Sequence, residues 1–191
     1  MMHLIIITGM SGAGKSQALN TLEDQDYYCI DNLPLNMLED LFTNAWVTSK
    51  EKIAIGMDVR SGKRQLDSLP GIVQRLKNQF RTDLVYLYAS KGIIFKRYSE
   101  TRRKHPLSTS EMGLDAAIRS EYELLTPVRA IADFQLETSD TDIYQLASSI
   151  KQRICVLAKK QLSLSFQSFG FKYGAPRDSD FIYDVRCLPN P

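Results

Sequence analysis

The chain predicts an α/β fold: a parallel five-stranded sheet with helices on both faces. Three observations carry that reading. Five short apolar runs recur between Leu4 and Glu137, each of strand length. Stretches with helical spacing separate them, and strands alternating with helices wind into a parallel sheet covered on both sides. Each run also ends where a ligand would lie, since such sheets bind at the carboxyl ends of their strands. Here those ends are Thr8, Asp31, Asp58, Ala89 and Glu137.

The elements follow in order. Leu4–Thr8 is an apolar strand that runs into Gly9-Met10-Ser11-Gly12-Ala13-Gly14-Lys15-Ser16, and a helix is expected over Gln17–Asp24. Tyr27–Ile30 is a short second strand ending in Asp31-Asn32-Leu33-Pro34. Pro34 suits a helix start, and Leu35, Leu38, Leu41 and Phe42 keep helical spacing behind it. Lys52–Asp58 is the third strand, followed by a loop over Val59–Lys63. A helix through Ile72, Leu76 and Phe80 leads to a fourth strand, Leu84–Ala89. Ile93–Tyr98 is helical, Ser99–Ser110 is basic and polar, and Leu114–Ile131 is a long helix. Asp133–Glu137 is the fifth strand, and Thr138-Ser139-Asp140 offers caps for a helix over Ile143–Leu157.

Residues 1–160 therefore make one domain. The segment 161–191 differs: Leu162, Leu164 and Phe166 alternate with polar residues, and Phe181–Val185 is a second strand candidate. A segment this short rarely builds its own core. It reads as the start of a further, truncated domain, or as a tail docked on the first.

Composition sets the outer bounds. With 43% hydrophobic and 24% charged residues, the chain has the make-up of an ordinary soluble protein. A net charge of +2 is too small to imply nucleic acid or membrane binding by charge alone. Cys29, Cys155 and Cys187 stand far apart, and the histidines are His3 and His105. That pattern argues against a disulfide scaffold and against a zinc site. No apolar run approaches the ~20 residues of a membrane span, so a cytoplasmic protein is expected.

The chemistry sits in Gly9–Ser16, spaced Gly-x-x-x-x-Gly-Lys-Ser between a strand and a helix. Glycines there free backbone amides to approach an anion, and the helix start adds its positive end. Lys15 can reach the β- and γ-phosphates of a nucleoside triphosphate, and the Ser16 hydroxyl can hold Mg²⁺. Asp58 ends an apolar strand, where a carboxylate commonly supports that metal; an aspartate also suits a plain turn. Lys15 and Asp58 are the catalytic candidates, with Ser16 and Asp58 on the metal. Asp31 is a rival for the metal side or for activating a phosphoryl acceptor. Arg60 could clamp phosphate or stand solvated.

Lys96, Arg97, Arg102, Arg103, Lys104 and His105 form a dense basic region after the fourth strand. It reads as a lid closing on a transferred phosphoryl group, an RNA patch, or a solvated loop. Arg102 and Arg103 are the candidate phosphate contacts, with the polar run Ser108–Ser110 offering few apolar anchors. His105-Pro106 reads as a turn element.

Beyond the generic loop motif, the chain resembles the bacterial RapZ/YvcJ family of nucleotide-binding proteins. The resemblance rests on Tyr28–Pro34, Asp58-Val59-Arg60-Ser61, Arg97–Leu107, Phe166–Gly174 and Asp184–Pro191. It implies binding of ATP and GTP with slow hydrolysis of both. Triphosphate binding would fall on Gly9–Ser16, and a second nucleotide contact linked to GTP on Asp58, Val59, Arg60 and Ser61. That second role competes with metal binding by Asp58. Some members are adaptors that bring a small RNA to a ribonuclease through a C-terminal domain beyond the end of this chain, so RNA binding is not carried over. The expectation is a regulatory ATP/GTP-binding protein with weak hydrolase activity. A small-molecule or nucleotide kinase with a basic lid and a non-catalytic, nucleotide-switched adaptor are the rivals, and a homo-oligomer is left open.

Overall fold

The computed structural model describes residues 2–57, 66–155, 166–170, 172, 174–176, 179 and 181–184. Five strands, β1 (His3–Gly9), β2 (Tyr28–Ile30), β3 (Lys52–Gly56), β4 (Arg81–Tyr88) and β5 (Phe134–Glu137), form one sheet. Its order is β2-β3-β1-β4-β5, and every pairing is parallel. The expected fold class is present.

β1 lies at the centre, between β3 and β4, and all seven of its residues are buried. A parallel strand covered on both faces needs an unbroken apolar run rather than alternation. Leu4-Ile5-Ile6-Ile7 supplies one, each residue fully buried. His3 opens the strand at the end away from the loop. There its ring nitrogens meet Asp83 at 2.6 Å and the Tyr27 hydroxyl at 2.7 Å, so a buried polar group is satisfied.

The helices are α1 (Lys15–Glu23), α2 (Leu38–Leu41), α3 (Ala45–Thr48), α4 (Leu69–Gln79), α5 (Lys91–Thr101), α6 (Leu114–Ala130) and α7 (Ile143–Ile150). α4 turns Ile72, Val73 and Leu76 into the core, and α6 turns Ala117, Ile118, Leu125 and Val128. No helix among the described residues is long and apolar enough to cross a membrane.

Several boundaries differ from the sequence reading. The helix expected after Pro34 breaks into a 3-10 turn (Leu35–Met37), α2 and α3. α7 is capped by Asp142 instead of the Thr138-Ser139-Asp140 group; its carboxylate accepts from the Gln145 amide, and Gln145 bonds back to it. α7 also stops at Ile150 and passes into a π-turn over Lys151–Cys155, while residues 156 and 157 lie outside the described ones. Phe181–Asp184 is described and is not a strand. Leu162–Ser165 and the 160/161 boundary lie outside the described residues.

Candidate functional site: the loop after β1 and its cleft

Backbone geometry builds the site. Gly9 leaves β1 at φ +130°, and a Cβ there would sit 1.9 Å from the Leu87 carbonyl oxygen of β4. Only glycine fits. The Met10 amide donates to that carbonyl at 2.9 Å, which anchors the start of the loop to the sheet. Gly14, at φ 97°, is the left-handed residue from which α1 springs. The amides of Lys15, Ser16 and Gln17 have no acceptor within the helix, because a first turn leaves its N–H groups unpaired internally. A helix start of this kind suits an anion.

Side chains complete it. The Lys15 ammonium bends back over the loop and donates to the carbonyls of Gly9 at 2.9 Å and Met10 at 3.2 Å. The Ser16 hydroxyl donates to Asp31 Oδ2 at 3.4 Å. Asp31 reaches that place because β2 pairs with β3, and Gly56 on β3 leaves room for it. A Cβ at Gly56 would lie 2.7 Å from Asp31 Oδ1.

A cleft of about 540 Å³ opens here. Gly12, Lys15, Ser16, Asp31, Arg103 and Lys104 are among the residues that line it. Within it Asp31 is the one carboxylate among the described lining residues. On β2, burial, then the charges of Glu23 and Asp31, push the Cys29 thiol up to about 11.

The basic region divides by role. Arg97 is half-buried; its guanidinium donates to the Gly12 carbonyl at 2.9 Å, to the Thr138 hydroxyl at 3.1 Å and to the Thr138 carbonyl. Burial holds its pKa below the ordinary arginine value. It clamps the loop to the end of β5. Arg102 is the left-handed residue that closes α5, at φ 53°, and is absent from the cleft lining. Arg103 and Lys104 face the cleft. His105 turns inward and is buried, and Leu107 packs against the core, so this stretch has more apolar anchorage than its sequence suggests.

Of the candidate residues, Gly9, Met10, Ser11, Gly12, Ala13, Gly14, Lys15 and Ser16 form one continuous loop, with Met10, Ser11 and Ala13 buried beneath it. Asp58, Val59, Arg60 and Ser61 lie outside the described residues. Sequence reasoning missed Glu121. This fully buried carboxylate on α6 accepts from the Ser11 amide at 3.0 Å and from its hydroxyl at 2.6 Å. No local pattern announces a partner 110 positions away.

Comparison with known proteins agrees with this geometry. A family model described as the RapZ-like N-terminal domain matches residues 2–157, and one described as the RapZ C-terminal domain matches residues 162–191. A protein of Vibrio parahaemolyticus named a nucleotide-binding protein is 45% identical over 192 residues, covering 100% of this chain and 67% of its own length. Another of that name, from Thioalkalivibrio sulfidiphilus, is 46% identical over 194 residues, covering 100% of this chain and 68% of its own. Among solved structures, shikimate kinase from Acinetobacter baumannii superposes with a TM-score of 0.54 at 17% identity, over 82% of this chain and 94% of that one. That likeness concerns the fold alone. With family models matched along nearly its whole length, the chain belongs to the RapZ family of nucleotide-binding proteins.

Proposed function

We propose that the cleft binds ATP and GTP as their Mg²⁺ complexes and hydrolyses them slowly, in a regulatory role. The observation that carries this reading is the convergence of Lys15, Ser16 and Asp31 at the start of α1, in a cleft that Arg103 and Lys104 also line. A triphosphate offers Lys15 charged oxygens, stronger acceptors than the two carbonyls it holds here. Arg103 and Lys104 add positive charge to the lining, and such charge stabilises phosphoryl oxygens during transfer.

The donor set fits Mg²⁺. A hydroxyl and a carboxylate within 3.4 Å are hard oxygen ligands, and this ion takes one or two protein groups beside phosphates and water. Bound there, it would neutralise charge on the phosphates; Ser16 would hold it directly and Asp31 would orient its shell. Asp58 is the alternative for the same role, and the resemblance gives it a guanine contact instead. Slow hydrolysis is what the resemblance implies, and among the described lining residues Asp31 is the one carboxylate.

Calorimetry of Lys15→Ala tests the reading. Triphosphate affinity should fall steeply with the fold intact, since a part-exposed lysine adds little to stability. Unchanged affinity for ATP and GTP would overturn it.

A second reading, phosphoryl transfer to a small acceptor, is favoured by Asp31 itself. An exposed carboxylate beside the metal-binding hydroxyl could take the proton of an acceptor hydroxyl. Phosphate release measured with and without candidate acceptors separates the two. The RNA-adaptor role implied by the resemblance is assigned to none of residues 2–155.

A further inference from the structure

We propose that Glu121 is a positioning residue that couples the phosphate loop to the basic segment, so that both walls of the cleft meet the triphosphate together. The inference rests on the nucleotide-binding reading of that cleft.

Glu121 is fully buried, and the hydrogen bonds described for its carboxylate reach Ser11 of the loop and His105 of the basic segment. Toward the loop, both of its oxygens accept from the Ser11 amide and Oε1 accepts from the Ser11 hydroxyl. Toward the basic segment, Oε2 lies 3.1 Å from His105 Nε2. The Leu107 amide donates to His105 Nδ1 at 3.2 Å, so Nδ1 is an acceptor and the neutral ring carries its proton on Nε2. His105 therefore donates to Glu121 without needing a charge. Its two neighbours in sequence, Lys104 and Pro106, line the cleft, as does Arg103.

A third contact ties the walls from the other side. The Tyr98 ring lies 5.0 Å from the His105 ring, centre to centre. It also backs onto Gly12, where a Cβ would meet Tyr98 at 3.2 Å.

Donor counting explains why a carboxylate stands here. Ser11 offers an N–H and an O–H, and His105 offers another N–H. Carboxylate oxygens can accept from all three. A glutamine would bring an NH₂ against one of those donors. Removing one partner of such a buried set is costly.

The test is a coupling measurement on the full chain, titrated with a non-hydrolysable ATP analogue and Mg²⁺. Arg103→Ala in the otherwise native protein should weaken binding about tenfold. Glu121→Gln and His105→Leu should each weaken it by a similar factor, and in either background Arg103→Ala should add less than a twofold further loss. His105→Gln, which keeps an N–H near the Nε2 position, should restore both the affinity and the full Arg103→Ala effect. A merely structural role would lower thermal stability but leave the Arg103→Ala loss the same in every background, and that result overturns the proposal. Should Glu121→Gln fail to fold, the His105→Leu and His105→Gln pair decides alone. Lys15→Ala serves as the control. If it too leaves binding unchanged, the nucleotide reading itself fails; if it abolishes binding while the couplings are absent, only the role of Glu121 fails.

Discussion

Arg102 and Arg103 are adjacent in sequence and opposite in circumstance. Arg103 lines the cleft, whereas Arg102 ends α5 in the left-handed region that glycine prefers. A side chain held there carries a local penalty of about 1 kcal/mol. Arg102→Gly should therefore stabilise the protein by up to about 1 kcal/mol, because a left-handed cap is a glycine position. It should also leave nucleotide binding within twofold, whereas Arg103→Ala should slow hydrolysis severalfold. Thermal melts and phosphate-release rates on the two variants check both halves. Equal effects of the two on turnover would return Arg102 to the site.

At the scale of elements, the loop is fixed by its contact with β4. Gly9→Ala would drive a Cβ into the Leu87 carbonyl at 1.9 Å and demand φ +130° of an alanine. The cost should reach at least about 3 kcal/mol, the size associated with backbone strain and a lost anchor together. Denaturant unfolding measures it, and a loss under 1 kcal/mol would contradict the described approach of β1 to β4. This loop was legible in sequence because its motif is local: strand, glycines, lysine and hydroxyl all fall within Leu4–Ser16. The sheet was legible because runs such as Leu4–Ile7 must be apolar to lie at its centre.

What escaped reading depends on distance along the chain. Asp31 could be marked as a candidate, but its approach to Ser16 follows from β2 pairing with β3. Thr138 suggested a cap for the next helix, yet its hydroxyl donates to the Ala13 carbonyl of the loop and accepts from Arg97. Arg97 belongs to the basic region that reads as a lid, and its hydrogen bonds tie the loop to the sheet. Glu121 on α6 is not singled out, since helical periodicity cannot distinguish a buried acceptor from a solvated one. The helix after Pro34 was overdrawn for a similar reason. Leucine spacing predicts a face, and it does not predict that the chain must turn at Asn44, whose side chain caps α3.

For the molecule as a whole, the loop's origin matters most. It grows from β1, the innermost strand, with two strands on either side. Anything bound at Lys15 and Ser16 is thus fastened to a strand buried along its whole length, whose amides should exchange only on global unfolding. Free energy gained at the loop cannot remain local. A triphosphate present at a hundred times its dissociation constant should raise global stability by about 2.7 kcal/mol. For a domain of this size that corresponds to roughly 5–10 °C in melting temperature. The amides of Ile5, Ile6 and Ile7 should slow their exchange by about a hundredfold, in step with the melting shift. Slowing confined to residues 10–17, with Ile5–Ile7 unaffected, would mean that the centre of the sheet opens without releasing the ligand. The sheet then acts as a thermometer for occupancy: its most sheltered amides, buried at the centre of the sheet, report whether the cleft is filled.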